Sequence, residues 1–131
     1  MRIEMEHWSI EVPASWTVVA GVPVRLFLDA RRTDREGSCA IESNQVGVDL
    51  FEVAGPPNAD QIRRFGDPTC STGVIDGRPS VICDWSNGAQ YIRSILVAIP
   101  TGTLQIHRTR PLLDAVRVDE ADAVIASIAW R

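Results

Sequence analysis

Between Thr69 and the C-terminus, four strand-like segments alternate with short turn sequences and lead into one amphipathic helical segment. The turns are typical of connections between antiparallel strands. They are Asp76-Gly77, Asn87-Gly88 and Pro100-Thr101-Gly102. Behind Asp119, a predicted N-cap, apolar residues recur at helical spacing. These residues are Ala121, Val124, Ile125, Ile128 and Ala129. This order predicts an antiparallel sheet that is covered on one face by a C-terminal helix.

The first half of the chain predicts shorter elements. Residues 7–12, 22–29 and 47–54 carry the pattern of strands, and residues 38–46 are expected to pair with 22–29 across the charged loop 31–37. Asn58 and Gln61 resemble a capping box, which predicts a short helix near residues 59–65. Together these elements predict one α+β domain over residues 1–131. It has a central antiparallel sheet of about six strands, with a short middle helix and a C-terminal helix packed on it.

Charge and hydropathy exclude two classes of partner. The 131 residues carry a net charge of −4, whereas a nucleic-acid-binding surface needs clustered Lys and Arg to displace counterions from phosphates. No segment approaches the roughly 18 apolar residues of a membrane span, and the first residues lack a long apolar run. We therefore expect no nucleic-acid partner, no membrane insertion and, by default, a cytoplasmic location.

The three cysteines, Cys39, Cys70 and Cys83, lack the spacing of a zinc site, so neither a metal nor another cofactor is expected. A two-residue turn at Asp76-Gly77 would place Cys70 opposite Cys83 at a non-hydrogen-bonded position of the hairpin. Two interpretations remain open. The pair consists either of buried reduced thiols, which the rarity of intracellular disulfides favours, or of a redox pair.

The registers of the predicted hairpins sort their side chains onto two faces. Hydrogen bonding through alternate residues requires Trp85 to pair with Gln90 around the loop 86–89. The main core face is then expected to gather seven side chains across the meander. They are Val74, Val81, Cys83, Ile92, Leu96, Leu104 and Ile106. The C-terminal helix should lie across this face.

The same registers bring polar and aromatic side chains together on the opposite face. Asp84 is expected opposite Tyr91 and within diagonal reach of Arg93, and His107 opposite Ile95. The candidate binding residues are the polar members of this face together with Trp85 beside the second turn. They are Asp84, Trp85, Tyr91, Arg93, Gln105 and His107. The alternative interpretation is a solvated sheet face with an ordinary exposed Asp-Arg pair.

The sequence contains no recognisable catalytic motif. It lacks a Gly-rich phosphate loop, a His-Glu pair at metal-binding spacing and a serine flanked by the glycines of a nucleophile elbow. His7 and His107 are its two histidines, and neither lies at a recognisable spacing from an orienting carboxylate and a nucleophile. A protein without enzymatic activity is therefore expected.

Three short strings, HWSIEVPASW, VIDGRPSVICDW and ADAVIASIAWR, follow one another along the chain. They resemble the first two strands with their Pro-x-x-Trp turn, the central hairpin and the terminal helix of the PsbP-like superfamily. This superfamily includes the photosystem subunit PsbP, the nuclear-transport factor Mog and chaperones associated with type VI secretion effectors. The resemblance implies a central antiparallel sheet with helices on its faces, and a role in binding other proteins.

The leading functional hypothesis is a cytoplasmic protein-binding domain that uses the face around Tyr91, Arg93 and His107. It would act as an adaptor, a secretion chaperone or an immunity-type partner. Its partner would be another protein, with a homodimer as a further option. The alternative is a small-ligand-binding protein or an enzyme with a pocket between sheet and helix. A closed cavity lined by His107 or Trp85 would favour that alternative.

Overall fold

The computed structural model describes residues 1–19, 24–27, 46–63, 66–86, 88, 90–111 and 118–131. Within these ranges the chain forms ten strands and two helices. All strand pairs are antiparallel, which agrees with the predicted α+β class, although the strands outnumber the expected six or so. The predicted charged loop and, except for Val46, the predicted strand at 38–46 lie outside the described residues.

The strands are divided between two sheets. In chain order they are β1 (Arg2–Glu4), β2 (Trp8–Glu11), β3 (Thr17–Val19), β4 (Val24–Phe27), β5 (Gly47–Val53), β6 (Thr69–Ile75), β7 (Arg78–Ser86), β8 (Gln90–Ile99), β9 (Gly102–Pro111) and β10 (Ala129–Trp130). The helices are α1 (Asp60–Arg63) and α2 (Val118–Ala126). The larger sheet has the order β3-β4-β5-β9-β8-β7-β6, and the smaller has the order β1-β2-β10. In the described part of the chain, no helix is long and apolar enough to cross a membrane.

The β6–β7 hairpin has the predicted register. Ile75 pairs with Arg78 across a two-residue turn, and φ is positive at both turn residues, 43° at Asp76 and 79° at Gly77. Positive φ at both central positions is characteristic of a type I′ turn, whose twist matches that of an antiparallel pair. The cross-strand cysteine pair that follows from this register is confirmed.

The β7–β8 register is shifted by two residues from the prediction. Asp84 lies opposite Arg93 instead of Tyr91. Both registers satisfy the rule that a strand bonds its two neighbours through alternate residues. This rule cannot distinguish two registers that differ by two residues. The predicted closing pair of Trp85 and Gln90 is therefore wrong, although the side chains of β7 and β8 share faces as expected.

The β8–β9 register is shifted by one residue, because the turn between these strands is one residue shorter than predicted. His107 consequently lies opposite Ser94 instead of Ile95. A slip of one residue moves every side chain of a strand to the other face of the sheet. The predicted grouping of Ile106 with Leu96 on one core face is therefore wrong.

The two faces of the larger sheet pack against different helices. On the α2 face, buried apolar side chains of the sheet pack against α2 and the residues that follow it. The sheet residues are Leu26, Val48, Leu50, Ile95, Val97, Leu104 and Ile106, and the C-terminal residues are Ala121, Val124, Ile125 and Ile128. Trp8 and Ile10 of the smaller sheet complete this core. On the α1 face, Ile62 of α1 packs with Cys83 and Leu96.

The C-terminal helix is shorter than predicted. It runs over Val118–Ala126, so Asp119 is its second residue and not its N-cap. The hydroxyl of Ser127 donates to the carbonyl oxygen of Val124 at 2.6 Å, in the turn that ends the helix. Ala129, predicted to be helical, begins β10, which pairs with β2. The helical periodicity therefore holds through the last turn, but the final residues form a strand.

The predicted middle helix is present as α1. The side-chain oxygen of Asn58 accepts the backbone N–H of Asp60 at 2.9 Å, and Ile62 is fully buried. Gln61, expected to close a capping box, instead accepts a hydrogen bond at Oε1 from Gln105 Nε2 at 3.2 Å. This bond attaches α1 to β9.

Candidate functional site

The six predicted binding residues lie on opposite faces of the larger sheet. The α2 face holds Asp84, Tyr91 and Arg93, and the α1 face holds Trp85, Gln105 and His107. The one-residue slip between β8 and β9 separates the two groups, because it turns Gln105 and His107 away from the face of Arg93. The prediction of a single patch made of all six residues is therefore wrong.

Asp84 and Arg93 form a two-point ion pair on the α2 face. Arg93 Nε donates to Asp84 Oδ1 at 2.8 Å, and Arg93 Nη2 donates to Asp84 Oδ2 at 3.2 Å. The hydrogen bonds from this guanidinium to Asp84 raise the pKa of Arg93 above its ordinary value. The contact is directly across the strand pair, whereas the sequence predicted a diagonal one.

A second arginine lies directly opposite the first. Arg108 on β9 pairs in register with Arg93 on β8, and like charges in this arrangement repel each other. Arg108 Nη1 donates to Oδ1 of Asp122 on α2 at 2.7 Å. Arg108 is only 8 % exposed, and its Nε is buried without a hydrogen-bond partner among the described residues. Carboxylates from two different elements thus hold the two opposed guanidinium groups.

A third arginine packs against the exposed Tyr91. Arg110 pairs in register with Tyr91, and its guanidinium carbon lies 4.3 Å from the centre of the tyrosine ring. Tyr91 is 44 % exposed, so this cation–π contact is at the protein surface. It follows the Arg93–Arg108 pair along the same two strands.

These side chains line an open cleft of about 420 Å³, which we call the arginine cleft. Its polar and aromatic lining on the α2 face consists of Asp84, Ser86, Tyr91, Arg93, Arg108 and Arg110. Trp85 and Ile92 also line it. Among the described residues, this lining holds the guanidinium groups of Arg93, Arg108 and Arg110 and the carboxylate of Asp84.

The α1 face carries a chain of polar side chains that connects β7, β8 and β9 with α1. Trp85 Nε1 donates to Ser94 Oγ at 3.0 Å, and Ser94 Oγ lies 3.4 Å from His107 Nδ1. His107 Nε2 lies 3.4 Å from Gln105 Oε1, and Gln105 binds Gln61 of α1. The predicted binding residues of this face therefore contact one another through a partly buried network, instead of facing solvent together.

Asp49 and His107 are neighbours across β5 and β9 on this face, and their pKa values are shifted in opposite directions. Burial raises the pKa of Asp49 to about 6, although Arg25, with Nε 3.9 Å from Asp49 Oδ1, acts to lower it. Burial lowers the pKa of His107 to about 4. The ring of Phe51 packs at 4.9 Å from that of His107. Burial thus favours the uncharged form of both the Asp49 carboxyl group and the His107 imidazole.

Ser94, His107 and Asp49 stand in one row across β8, β9 and β5. These are the residue types of nucleophilic hydrolases, in which the serine must reach the substrate. Ser94 is fully buried, so its hydroxyl is shielded from any substrate in this conformation. We interpret the row as a structural network.

Cys70 and Cys83 form a disulfide between β6 and β7. Their Cα atoms are 4.1 Å apart, as expected for the close, non-hydrogen-bonded pairs of an antiparallel ladder. The favoured prediction of two buried reduced thiols differs from this structure on both points, since the pair is oxidised and Cys70 is exposed. The disulfide weighs against the predicted cytoplasmic location, because cytosolic thiols are normally kept reduced.

Comparisons with known proteins do not assign the chain to a family. No protein-family model matches it, and no curated protein matches it significantly. The resemblance of its three strings to the PsbP-like superfamily therefore stays a prediction. Within the described ranges, no group of three or more His, Cys, Asp or Glu side chains could hold a metal ion.

Three residues around the arginine cleft were not predicted from the sequence, namely Arg108, Arg110 and Asp122. Ile106, Arg108 and Arg110 lie on the same face of β9, and the incorrect register assigned this face to the core alone. The alternation itself was visible in the string IHRTR. Asp122 lies among the apolar positions of α2, and its pairing with β9 depends on long-range packing that periodicity does not encode.

Proposed function

We propose that this chain is a non-enzymatic protein-binding domain that docks its partner at the arginine cleft. It would act as an adaptor, a secretion chaperone or an immunity-type partner. The observation that carries the proposal is the exposed Tyr91 ring packed against Arg110 within the lining of the cleft. Tyrosine and arginine are enriched among the residues that dominate binding energy at protein–protein interfaces. The PsbP-like resemblance supports a role of the same kind.

The proposed docking surface is narrower than the one predicted from the sequence. Gln105 is buried, and the side chains of Trp85 and His107 are bonded into the network on the α1 face. A partner would have to displace α1 to reach Gln105 and its neighbour His107. We therefore assign docking to the α2 face, with Tyr91 and Arg93 as its contact residues.

The test compares partner capture by the wild-type domain and by the double variant Tyr91→Ala, Arg93→Glu. Both proteins are incubated with lysate of the source organism, and bound proteins are quantified by mass spectrometry. We expect the double variant to lose at least one protein that the wild type enriches, because it removes the exposed aromatic ring and reverses one charge of the cleft. Identical partner lists would overturn the proposal.

The control is Arg63→Glu on α1. Arg63 forms an exposed ion pair with Asp60. This pair belongs to α1, which packs on the face of the sheet opposite to the arginine cleft. Arg63→Glu reverses a positive charge, as Arg93→Glu does, so a loss of capture in both variants would indicate a general effect of charge. Specific docking requires the loss to be confined to the double variant.

A second candidate function is the binding of a small ligand between sheet and helix. A pocket of about 280 Å³ lies between β6, β7, β8 and α2. Its apolar walls include Ile82 and Ile125, and Asp76, Arg93 and Asp122 supply charged groups. This combination of apolar walls and a few charged groups is typical of sites for small molecules.

Thermal-shift screening with small apolar metabolites tests this second candidate. A ligand present at 100 times its dissociation constant stabilises the folded state by about 2.7 kcal/mol. The variant Ala126→Phe would fill the pocket from α2, since Ala126 lines it. A shift seen for the wild type and lost in this variant would support the site, and the absence of any shift would contradict it.

The cytoplasmic location predicted from the sequence is part of the proposal and depends on the cysteine pair. A domain that works in the cytoplasm should hold Cys70 and Cys83 as thiols. Cells are quenched with acid to trap the thiol state, and the denatured protein is labelled with a thiol-reactive polyethylene glycol, so that electrophoresis counts the free thiols. An unlabelled pair would place the protein in an oxidising compartment.

A further inference from the structure

We propose that the Cys70–Cys83 disulfide is a reversible redox site, which a dithiol protein reduces in the folded domain by attacking the sulfur of Cys70. This inference does not depend on docking at the arginine cleft. Its basis is the unequal surroundings of the two bonded cysteines, because Cys70 is exposed whereas Cys83 is fully buried.

Cys70 lies on the outermost strand of the larger sheet. In the described part of the chain, β6 pairs with β7 on one side and with no strand on the other. The residues around Cys70, namely Thr69, Ser71 and Thr72, are exposed and carry no charge that would repel a thiolate. Thiol–disulfide exchange depends on access to the attacked sulfur. The open side of β6 provides this access to Cys70.

Cys83 is shielded at the other end of the same bond. It lies on β7 between β6 and β8, and its partner in register on β8 is the buried Ser94. On the α1 face it packs with Ile62 of α1 and with Leu96. An external thiolate would have to displace these side chains to reach the sulfur of Cys83. The attack is therefore directed to Cys70.

The reduction transfers two electrons in two exchange steps. In the first, a thiolate of the dithiol bonds to Cys70 Sγ, the disulfide breaks, and its electron pair leaves on Cys83 Sγ. In the second, the other thiolate of the dithiol bonds to the sulfur of the first, and the electron pair of the mixed disulfide leaves on Cys70 Sγ. The two protons that the dithiol loses end on Cys70 and Cys83. The dithiol protein leaves with a disulfide of its own.

The position of Cys83 favours a dithiol over a monothiol such as glutathione. After the first step, Cys83 still lies opposite Cys70 in register, with 4.1 Å between the Cα atoms. Its thiolate would attack the mixed disulfide and close the original bond again, and this reaction benefits from a high effective concentration. A dithiol competes with this reversal, because its second thiol is also held beside the mixed disulfide.

Reduction removes one of two attachments of β6. At the last residue of the strand, the carbonyl oxygen of Ile75 accepts a hydrogen bond from Trp130 Nε1 at 2.9 Å, and this contact does not involve the disulfide. At the start of the strand, the disulfide joins Cys70 covalently to β7. Loss of the bond should therefore loosen the beginning of β6, while its end at Ile75 stays attached.

The first test traps the mixed disulfide. Free thiols of the folded, oxidised protein are blocked with iodoacetamide, and thioredoxin whose second active-site cysteine is replaced by serine is added, so that the second exchange step is prevented. A protease that cleaves before Asp76 then separates Cys70 from Cys83, and mass spectrometry locates the adduct. We expect thioredoxin on Cys70. An adduct on Cys83, or no adduct, would overturn the inference.

The second test determines whether the folded state reacts. The rate of reduction by dithiothreitol is measured at urea concentrations below the unfolding transition. Attack on the exposed Cys70 of the folded domain should change the rate by less than about two-fold over this range, because it does not wait for unfolding. A rate that rises in parallel with the unfolded fraction would identify a purely structural disulfide and contradict the proposal.

Charged substitutions beside Cys70 provide a matched comparison. Side chains two residues apart in a strand lie on the same face, so Thr72 is a neighbour of Cys70, whereas Ser71 lies on the other face. Thr72→Glu should slow the attack of the dithiothreitol thiolate by about three-fold or more at low salt, and Thr72→Lys should accelerate it by a similar factor. Ser71→Glu and Ser71→Lys are the controls, with smaller effects. Equal effects at the two positions would contradict attack from the face of Cys70.

Hydrogen exchange of the oxidised and reduced proteins tests the attachment of β6. Ser71 and Ile75 both lie at hydrogen-bonded positions of the β6–β7 ladder, since Ile75 closes the hairpin. On reduction, the amide of Ser71 should exchange faster by about ten-fold or more, and the amide of Ile75 should change less. Unchanged exchange at Ser71 would show that the bond does not hold the start of β6, and would overturn its role as a switch.

Discussion

Arg93 and Arg108 stand directly opposite each other on β8 and β9, and each is bound by a different aspartate. Asp84 comes from the neighbouring strand, whereas Asp122 comes from α2. The helix that covers the core therefore also supplies the carboxylate that compensates the buried Arg108. The stability of this helix and the electrostatics of the arginine cleft are coupled through a single ion pair.

Asp122→Asn should destabilise the protein by about 2 kcal/mol, because it leaves the Arg108 guanidinium buried without its charged acceptor. The measurement is urea denaturation followed by tryptophan fluorescence. Asp60→Asn is the matched control, since it breaks the exposed Asp60–Arg63 pair and should change stability by less than about 0.5 kcal/mol. Equal effects of the two substitutions would contradict the role assigned to Asp122.

The wild-type protein should show only a weak dependence of stability on pH from the pair Asp49 and His107. Between about pH 4 and 6, the raised pKa keeps Asp49 protonated in the folded state after the unfolded chain has lost that proton, so its contribution to stability is lost as the pH rises. Over the same range, the lowered pKa keeps His107 neutral while the unfolded chain is protonated, so its contribution is lost as the pH falls. The two slopes oppose each other.

Single substitutions should reveal each slope. In Asp49→Asn, only the His107 slope remains, so the free energy of unfolding of this variant should fall by up to about 3 kcal/mol as the pH is lowered from about 6.5 to about 4. In His107→Gln, it should rise by a similar amount as the pH is lowered from about 6 towards 4. Urea denaturation at fixed pH values measures both. Parallel pH profiles for all three proteins would contradict the assignment.

Reduction of the Cys70–Cys83 disulfide should destabilise the protein by up to about 3 kcal/mol. The bond closes a loop with a sequence separation of 13, and the loss of loop-closure entropy in the unfolded chain sets this upper value. Thermal denaturation with and without a phosphine reductant measures the effect. Cys70→Ser is the control, because Cys70 is exposed and the variant should be insensitive to reductant. Equal melting temperatures of the wild type with and without reductant would contradict the prediction.

Gly102→Ala should destabilise the protein by more than about 2 kcal/mol. Gly102 has φ of 147°, and a Cβ at this position would collide with the carbonyl oxygen of Val53. Gly88→Ala is the matched control, because φ is 88° there but the space around the position is open. It should cost only about 1 kcal/mol of backbone strain. A smaller effect at Gly102 than at Gly88 would contradict this interpretation.

The elements of the larger sheet could be predicted where local chemistry determined them. The Asp76-Gly77 turn fixed the register of the first hairpin, because both residues accept positive φ. The sequences Asn87-Gly88 and Pro100-Thr101-Gly102 marked the later turns but did not determine their lengths, and the predicted registers were wrong by two residues in one hairpin and by one residue in the next. The strands β1 and β10 are three and two residues long, too short to show an alternating pattern.

The errors in strand register also explain why the candidate site was predicted only in part. The contact between Asp84 and Arg93 was anticipated because the shift of two residues preserves the face of both strands. The separation of His107 from Arg93 was not anticipated, because a register slip of one residue moves the side chains of β9 to the other face of the sheet. The pairing of Arg108 with Asp122 joins a strand to a helix, so it depends on tertiary packing that neither segment reveals alone.

The smaller sheet joins segments from the two ends of the chain. Trp8 on β2 pairs with Trp130 on β10, and the backbone N–H of Arg131 donates to the carbonyl oxygen of His7 at 3.1 Å. During synthesis on the ribosome, β2 can therefore meet this neighbour only after the chain up to Trp130 has emerged. Contacts of such long sequence separation slow folding, so we expect the Trp8 strand to be a target for ribosome-associated chaperones before release.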